Sequence, residues 1–400
     1  MHVVEDLLCS FSSLWPRLRG VVTTGSIAAV LMACHQSSPP VSESPPPFVF
    51  RSLDLNQRQA NGDRDWDLKS PEARYDLSSR TVRARRPSGV LYRENEPAYA
   101  ISAELATVLN DGELIVLEGN IRLQQLNQRK VLMRGDRLVW TPSKSQMVID
   151  QRPQADDAQS QLFAHHLTFY QQRNQLIFQG PTSLKRWKDR PMKDQKPQTD
   201  IQSGDGTWNL EDGSLNAQGP IQADHFDGKK LTASMLKGNT REGYIDLVKP
   251  VKLTMPDEKG NINAGTTRWF YNLQKLSSDA VFNAEFDKGN ASGNGFIIDQ
   301  RANTVIAPDN CRLRQPGEQL KAQRCSWNWQ TDVVIADGDV ELRRDDLNQI
   351  TRAERLEGTI GEDGLLRFGA PGQRVKSSIK LKDSPVKGSQ RDKTPAPVRF

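Results

Sequence analysis

The chain has 400 residues, a net charge of +5, 36% hydrophobic residues and a mean hydropathy of −0.65. That length suits two or three ordinary domains or one long repeat domain, and the hydropathy is low for a thick globular core. The basic runs Arg83–Arg86 and Lys185–Lys196 are short, which excludes a dedicated nucleic-acid binder with its concentrated cations and interleaved aromatics.

The N-terminus reads as a targeting segment. Arg17 and Arg19 precede an apolar run from Val21 to Ala33. The run falls short of the ~20 apolar residues that a membrane-spanning helix needs, and it suits the core of a signal segment. It ends in Leu31-Met32-Ala33-Cys34. A small residue before a thiol is the chemistry of lipid attachment, so residues 1–34 read as a lipoprotein-type signal with Cys34 as the lipidation site. An uncleaved anchor is the alternative. Residues 35–64 follow as a linker, Pro/Ser-rich at Ser37–Pro47 (SSPPVSESPPP), and such a composition stays extended.

The body begins near residue 65 and is organised by a repeat. In AELATVLNDGELIVLEGNIRL, Ala103 to Leu123, the turn Asn110-Asp111-Gly112 separates two apolar runs. The second run alternates Ile115, Leu117, Gly119, Ile121 and Leu123, the period of a strand with one buried face. With Ala103 as position zero, the pattern recurs from Ser70, Gly135, Ala164, Ser203, Ala233, Ala264, Gly293, Ala322 and Ala353. About ten units of about 31 residues result, apolar at position +12 throughout and often aromatic at +5 (Tyr75, Trp140, Phe169, Trp208, Trp269, Trp327). No helical periodicity intervenes, so the expectation is an all-β chain of two-strand repeats. The polar insert 188–202 reads as a surface loop or a hinge between the halves 65–187 and 203–375. The Lys-, Ser- and Pro-rich tail 376–400 reads as disordered.

Cys311 and Cys325 flank the turn Pro316–Gly317 at equal distance from Glu318. A hairpin there would set them opposite one another, and in an oxidising compartment they could pair; two unpaired buried thiols are the alternative. His165 and His166 occupy adjacent strand positions and face opposite sides, so they cannot share one metal. No nucleotide, dinucleotide or nucleophile-elbow motif occurs. Neither a catalytic residue, a metal site nor a cofactor is expected, and the protein reads as no enzyme.

Units of the form A-x-x-a-x-x-y … L-x-G-x-V-x-L resemble the LptC/LptA/OstA-like family. The lines that carry the resemblance are YAISAELATVLNDGELIVLEGNIRL, MRGDRLVW and LFAHHLTFYQQRNQLIFQGPTSL. The resemblance implies an elongated, taco-like antiparallel β-jellyroll whose interior holds lipopolysaccharide. It implies a periplasmic protein held at a membrane, the inner membrane in that family, by its N-terminus. The implied partners are the inner-membrane lipopolysaccharide-export ABC transporter and a periplasmic bridge protein of the same fold, and none is a nucleic acid. The implied groove lining is Ile115, Leu117, Ile121, Ile149, Leu176, Phe178, Leu215, Ile245, Leu247, Leu276, Val305, Val334, Ala336 and Val340. Small residues at +14 (Ala84, Ala217, Ser278, Ala307, Ala336) would leave room for acyl chains. Two other readings stay open: an envelope assembly lipoprotein with a closed β-solenoid whose faces pack on each other, and a carbohydrate-active solenoid enzyme. With about twice the repeats of that family, this chain would accept lipopolysaccharide and pass it along an apolar groove.

Overall fold

The computed structural model describes residues 48–127, 130–191, 195–256, 260–287, 289–359, 366–369 and 375–379. The signal-type segment with Cys34, and the tail beyond residue 379, lie outside the described residues. Among the described residues thirty-four strands form one antiparallel sheet. Leu53–Arg58 pairs with Arg64–Ser70, then Ser88–Arg93, then Glu96–Ser102. A second series runs alongside: Phe48–Phe50, Glu72–Asp76, Thr81–Arg85 and Leu105–Leu109. The two series meet in long strands. Leu114–Gln125 pairs with Leu105–Leu109 through its first half and with Glu96–Ser102 through its second. The sheet is therefore a meander folded lengthwise into two wings, called here the first wing (from Leu53–Arg58) and the second wing (from Phe48–Phe50).

The two strands expected per repeat are the two arms of a hairpin. Each repeat is a hairpin whose arms both turn a corner, so it contributes two strands to each wing. The corners have a clear cause. Pro71, Pro87, Pro153, Pro181, Pro250 and Pro308 each sit between two strands at the fold line, where the missing N–H does not interrupt a ladder. The long strands turn with a bulge instead, with register shifts at Gly135/Arg137, Gln218/Ile221, Ser278/Val281 and Asp337/Val340. Gly119 and Gly338 take φ +75° at such turns, a conformation favourable to glycine. A Cβ at either would also run into the side chain of Glu104 or Gln323.

The tips of the second wing are tied by a recurring side-chain bond. At Asp76, Asn209, Asn239, Asp299 and Asn328, Oδ1 accepts backbone N–H groups two and three residues on. All five residues occupy position +6 of their repeats, and these Asx turns redirect the chain at no cost in unpaired backbone.

Strand register explains the repeat. Position +5 of a unit pairs with its own +12, as in Trp140↔Met147, Phe169↔Leu176, Trp208↔Leu215, Trp269↔Leu276 and Trp327↔Val334. Position +12 pairs with +5 of the next unit, as in Ile115↔Trp140, Met147↔Phe169, Leu176↔Trp208, Ile245↔Trp269 and Val305↔Trp327. The conserved spacing within the chain is thus one continuous row of side chains along the inner face of the second wing. A matching inner row of the first wing includes Ile101, Leu123, Met133, Ala155, Leu162, Leu184, Ile201, Ala223, Leu231, Leu253, Ile262 and Ala284.

Three boundaries differ from the sequence expectation. Phe48–Phe50 and Leu53–Arg58 are strands inside the range read as linker, because alternation at Leu53 and Leu55 is enough to pair with Arg64–Ser70. Thr199–Ser203 begins inside the range read as insert and pairs with Thr182–Arg186, so the meander passes the insert without a break. Lys376–Ile379 pairs with Gln349–Thr359 inside the range read as tail.

Candidate functional site

The space between the wings changes character along the meander. In the early repeats it is filled. Trp66 of the first wing meets Trp140 of the second edge-on at 5.1 Å, and Tyr99 meets Phe169 at 4.9 Å. Tyr99 also donates its hydroxyl proton to Asn174, and burial pushes that phenol's pKa up. Gln171 donates to the Tyr92 carbonyl at 3.2 Å, and Arg93 reaches Glu211 at 2.7 Å. These contacts close the mouth over a core in which Ile115, Leu117, Leu123, Leu138, Met147 and Leu167 have no exposed surface. Each such side chain contributes about 1.5–3 kcal/mol by burial.

A further contact across the mouth is made by Arg186, from Thr182–Arg186 of the first wing. Its guanidinium lies 4.0 Å over the ring of Tyr271, in the tip that follows Thr267–Phe270 of the second wing. Beyond that point the wings enclose a cavity of about 1090 Å³. Leu231, Leu253, Ile262, Leu313, Leu320 and Leu342 line one side of it, and Ile245, Trp269, Leu276, Ile298, Val305 and Val334 the other. Phe282 and Phe296, 5.6 Å apart, and the disulfide Cys311–Cys325 floor it at the fold line.

The cysteines are joined differently from the hairpin expectation. The register partner of Cys311 is Ala322, and Cys325 lies past the corner on Arg324–Asn328, opposite Ala307 and Ala336. The bond therefore ties the first wing to the second, with Cα atoms 5.9 Å apart.

The fourteen residues expected to line a groove fall in three places. Ile115, Leu117, Ile121, Ile149, Leu176 and Phe178 lie in the filled core with at most 1% of their surface exposed, and Leu215 is half-buried at its edge. Ala336 and Val340 belong to the cluster at the fold line. Ile245, Leu247, Leu276, Val305 and Val334 face the cavity. Sequence reasoning missed the first-wing wall. Its signal was position +20, which reads Leu123, Ala155, Leu184, Ala223, Leu253, Ala284, Leu313 and Leu342 in successive units.

Charge gathers at the closed end of the cavity. Arg186, Thr199 and His225 are successive register partners on the first-wing rim. Asp227 holds His225 Nδ1 at 2.7 Å and Lys229 Nζ at 2.8 Å. Burial alone would raise the Asp227 pKa, but hydrogen bonds from Lys229 and His225 prevail and hold it at about 2. Among the described residues no cluster of His, Cys, Asp and Glu could hold a metal ion, and no helix is long and apolar enough to cross a membrane.

Residues 26–152 match the family model described as lipopolysaccharide-assembly, LptC-related. No curated protein matches the chain. The matched range takes in the first part of the filled core, and the cavity is built by later repeats. Over residues 26–152 the chain is therefore similar to the LptC-related family of lipopolysaccharide assembly.

Proposed function

We propose that this protein is a periplasmic lipid carrier in lipopolysaccharide transport, held at a membrane through Cys34 or an uncleaved N-terminal segment. It accepts lipopolysaccharide from an inner-membrane ABC transporter and passes it to a bridge protein of the same fold. The observation that carries this reading is the apolar cavity of about 1090 Å³ between the wings. Ten acyl methylenes transferred from water into such a space gain on the order of 8 kcal/mol before ordering costs. The acyl chains are assigned to the later repeats, since the residues there leave space that the early repeats fill with Trp66, Tyr99, Trp140 and Phe169. The family match supports the substrate class.

Photo-crosslinking in cells tests the reading. A photoreactive residue in place of Leu276, Ile298 or Val334 should give lipopolysaccharide adducts that vanish when the export ATPase is disabled. The same residue in place of Ile115 should give none. Absence of adducts at all three cavity positions would favour the assembly role with a closed interior instead.

A further inference from the structure

Arg186 stands out among the charged side chains that face the cavity. It donates through Nη1 to Ser160 Oγ at 3.1 Å, and through Nη2 to Gln159 Oε1 at 2.7 Å and Asn272 Oδ1 at 3.2 Å. Its fourth partner is the ring face of Tyr271. Every one of these partners is neutral, and among the described residues no carboxylate lies within ion-pair distance of it. Burial lowers its pKa from the ordinary value, opposed by Tyr271 and by the more distant Asp157. An arginine nevertheless stays protonated in proteins. The other basic side chains nearby differ: His225 and Lys229 already share Asp227. Lys275, which follows the same second-wing tip as Tyr271, also faces the cavity and makes no ion pair among the described residues. The carboxylate of Glu318 lines the opposite end and is held by Arg344 at 2.7 Å. A half-buried guanidinium with no anion therefore caps one end of an apolar cavity, with a second uncompensated cation across the mouth.

We propose that Arg186, assisted by Lys275, is the seat of the phosphate headgroup of an amphiphile whose acyl chains lie in the cavity. This rests on the lipid-carrier reading above and adds to it a site, a chemistry and a direction. The fork of the guanidinium is already fixed by Gln159, Ser160 and Asn272, so binding an anion loses little side-chain freedom. A phosphate oxygen accepting from it makes a charge-assisted bond at a site partly shielded from water. The chains then run from the closed end toward Val305 and Val334. A free anion has no use for the apolar walls, and an uncharged amphiphile has no use for Arg186.

The test is displacement of a fluorescent fatty acid from the purified protein by three probes: lysophosphatidic acid, the monoacylglycerol of the same chain length, and glycerol 3-phosphate. The phosphate amphiphile is expected to bind roughly tenfold or more tightly than the monoacylglycerol, and raised salt should narrow the gap. Arg186→Gln should bring the two amphiphiles to similar affinity, and Arg186→Lys should restore part of the difference. Melting curves by circular dichroism establish that the variants fold. If Arg186→Gln does not fold, Arg186→Lys and the salt dependence decide the matter. No preference for phosphate in the wild type, or a preference that survives Arg186→Gln, would overturn the assignment while leaving the carrier reading intact. Equal displacement by glycerol 3-phosphate would make this a free-anion site. Failure of both amphiphiles to bind would sink the carrier reading and this proposal together.

Discussion

Replacing Trp140 by alanine should destabilise the protein by about 3 kcal/mol, whereas Trp327→Ala should cost about 1–2 kcal/mol. The two tryptophans occupy the same repeat position, +5, so a sequence-based expectation would treat them alike. Trp140 is 1% exposed and meets Trp66 edge-on at 5.1 Å. Removing a buried tryptophan ordinarily costs about 3–5 kcal/mol, and an edge-on aromatic pair adds about 0.5–1.5 kcal/mol. Against this, Trp140 Nε1 is buried without a hydrogen-bond partner, and relieving an orphaned donor returns about 1–3 kcal/mol. The net falls near the lower end of the ordinary range. Trp327 is 37% exposed at the cavity wall, so truncation there removes less buried surface and leaves no sealed void. Urea titrations followed by far-UV circular dichroism give both values from the shift in midpoint multiplied by the slope. Equal losses, or a larger loss at Trp327, would refute the picture of an interior filled at one end and open at the other.

Gly206 lies under Phe178, whose ring carbon would sit 2.3 Å from an added Cβ; Gly206→Ala should therefore destabilise by about 1–3 kcal/mol in the same assay. Reducing Cys311–Cys325, or replacing both by serine, should cost about 2–3 kcal/mol, as expected for cross-linked positions 14 residues apart. Thiol titration of the unreduced, denatured protein should find neither of them free. Asp227, with its pKa held at about 2, stabilises the fold fully above its unfolded value of about 4, and that stabilisation is lost as pH falls from ~4 through ~2. Asp227→Asn should lower stability at neutral pH by on the order of 1 kcal/mol, after allowance for solvent screening, and should flatten that part of the acid limb. A wild-type acid limb retained in the variant would show that the carboxylate is not responsible.

Much of the fold was legible because a row across a sheet leaves a strict period in the chain. The Trp and apolar positions at +5 and +12 recur since they are register partners of one another and of the next hairpin. The corners left a sparser mark: Pro87, Pro181, Pro220 and Pro250 all stand at +17 of their repeats. Alternation continues on both sides of each corner, so a corner looks like one strand's end and another's beginning. The cavity could not be read in this way. Trp140 and Trp327 are the same residue at the same position, and what separates them is whether the opposite wing supplies a Trp66. That depends on how side chains far apart in the chain meet across the mouth, as Tyr99 meets Phe169. In the sequence Arg186 is one more cation of the short basic run Lys185–Lys196, because nothing local says that Tyr271 and Asn272 will arrive beside it.

The strand order carries one more implication. Among the described residues every ladder joins strands no more than three apart in chain order, as Phe48–Phe50 with Glu72–Asp76 and Lys230–Asn239 with the strands on either side. No ladder reaches across to a remote partner, so a hairpin can be inserted or deleted and its neighbours simply rejoin in the same register. Each hairpin advances the sheet by two strands, or about 10 Å at a spacing of roughly 4.8 Å. The length of the sheet thus becomes a quantity set by copy number, adjustable in steps of one hairpin.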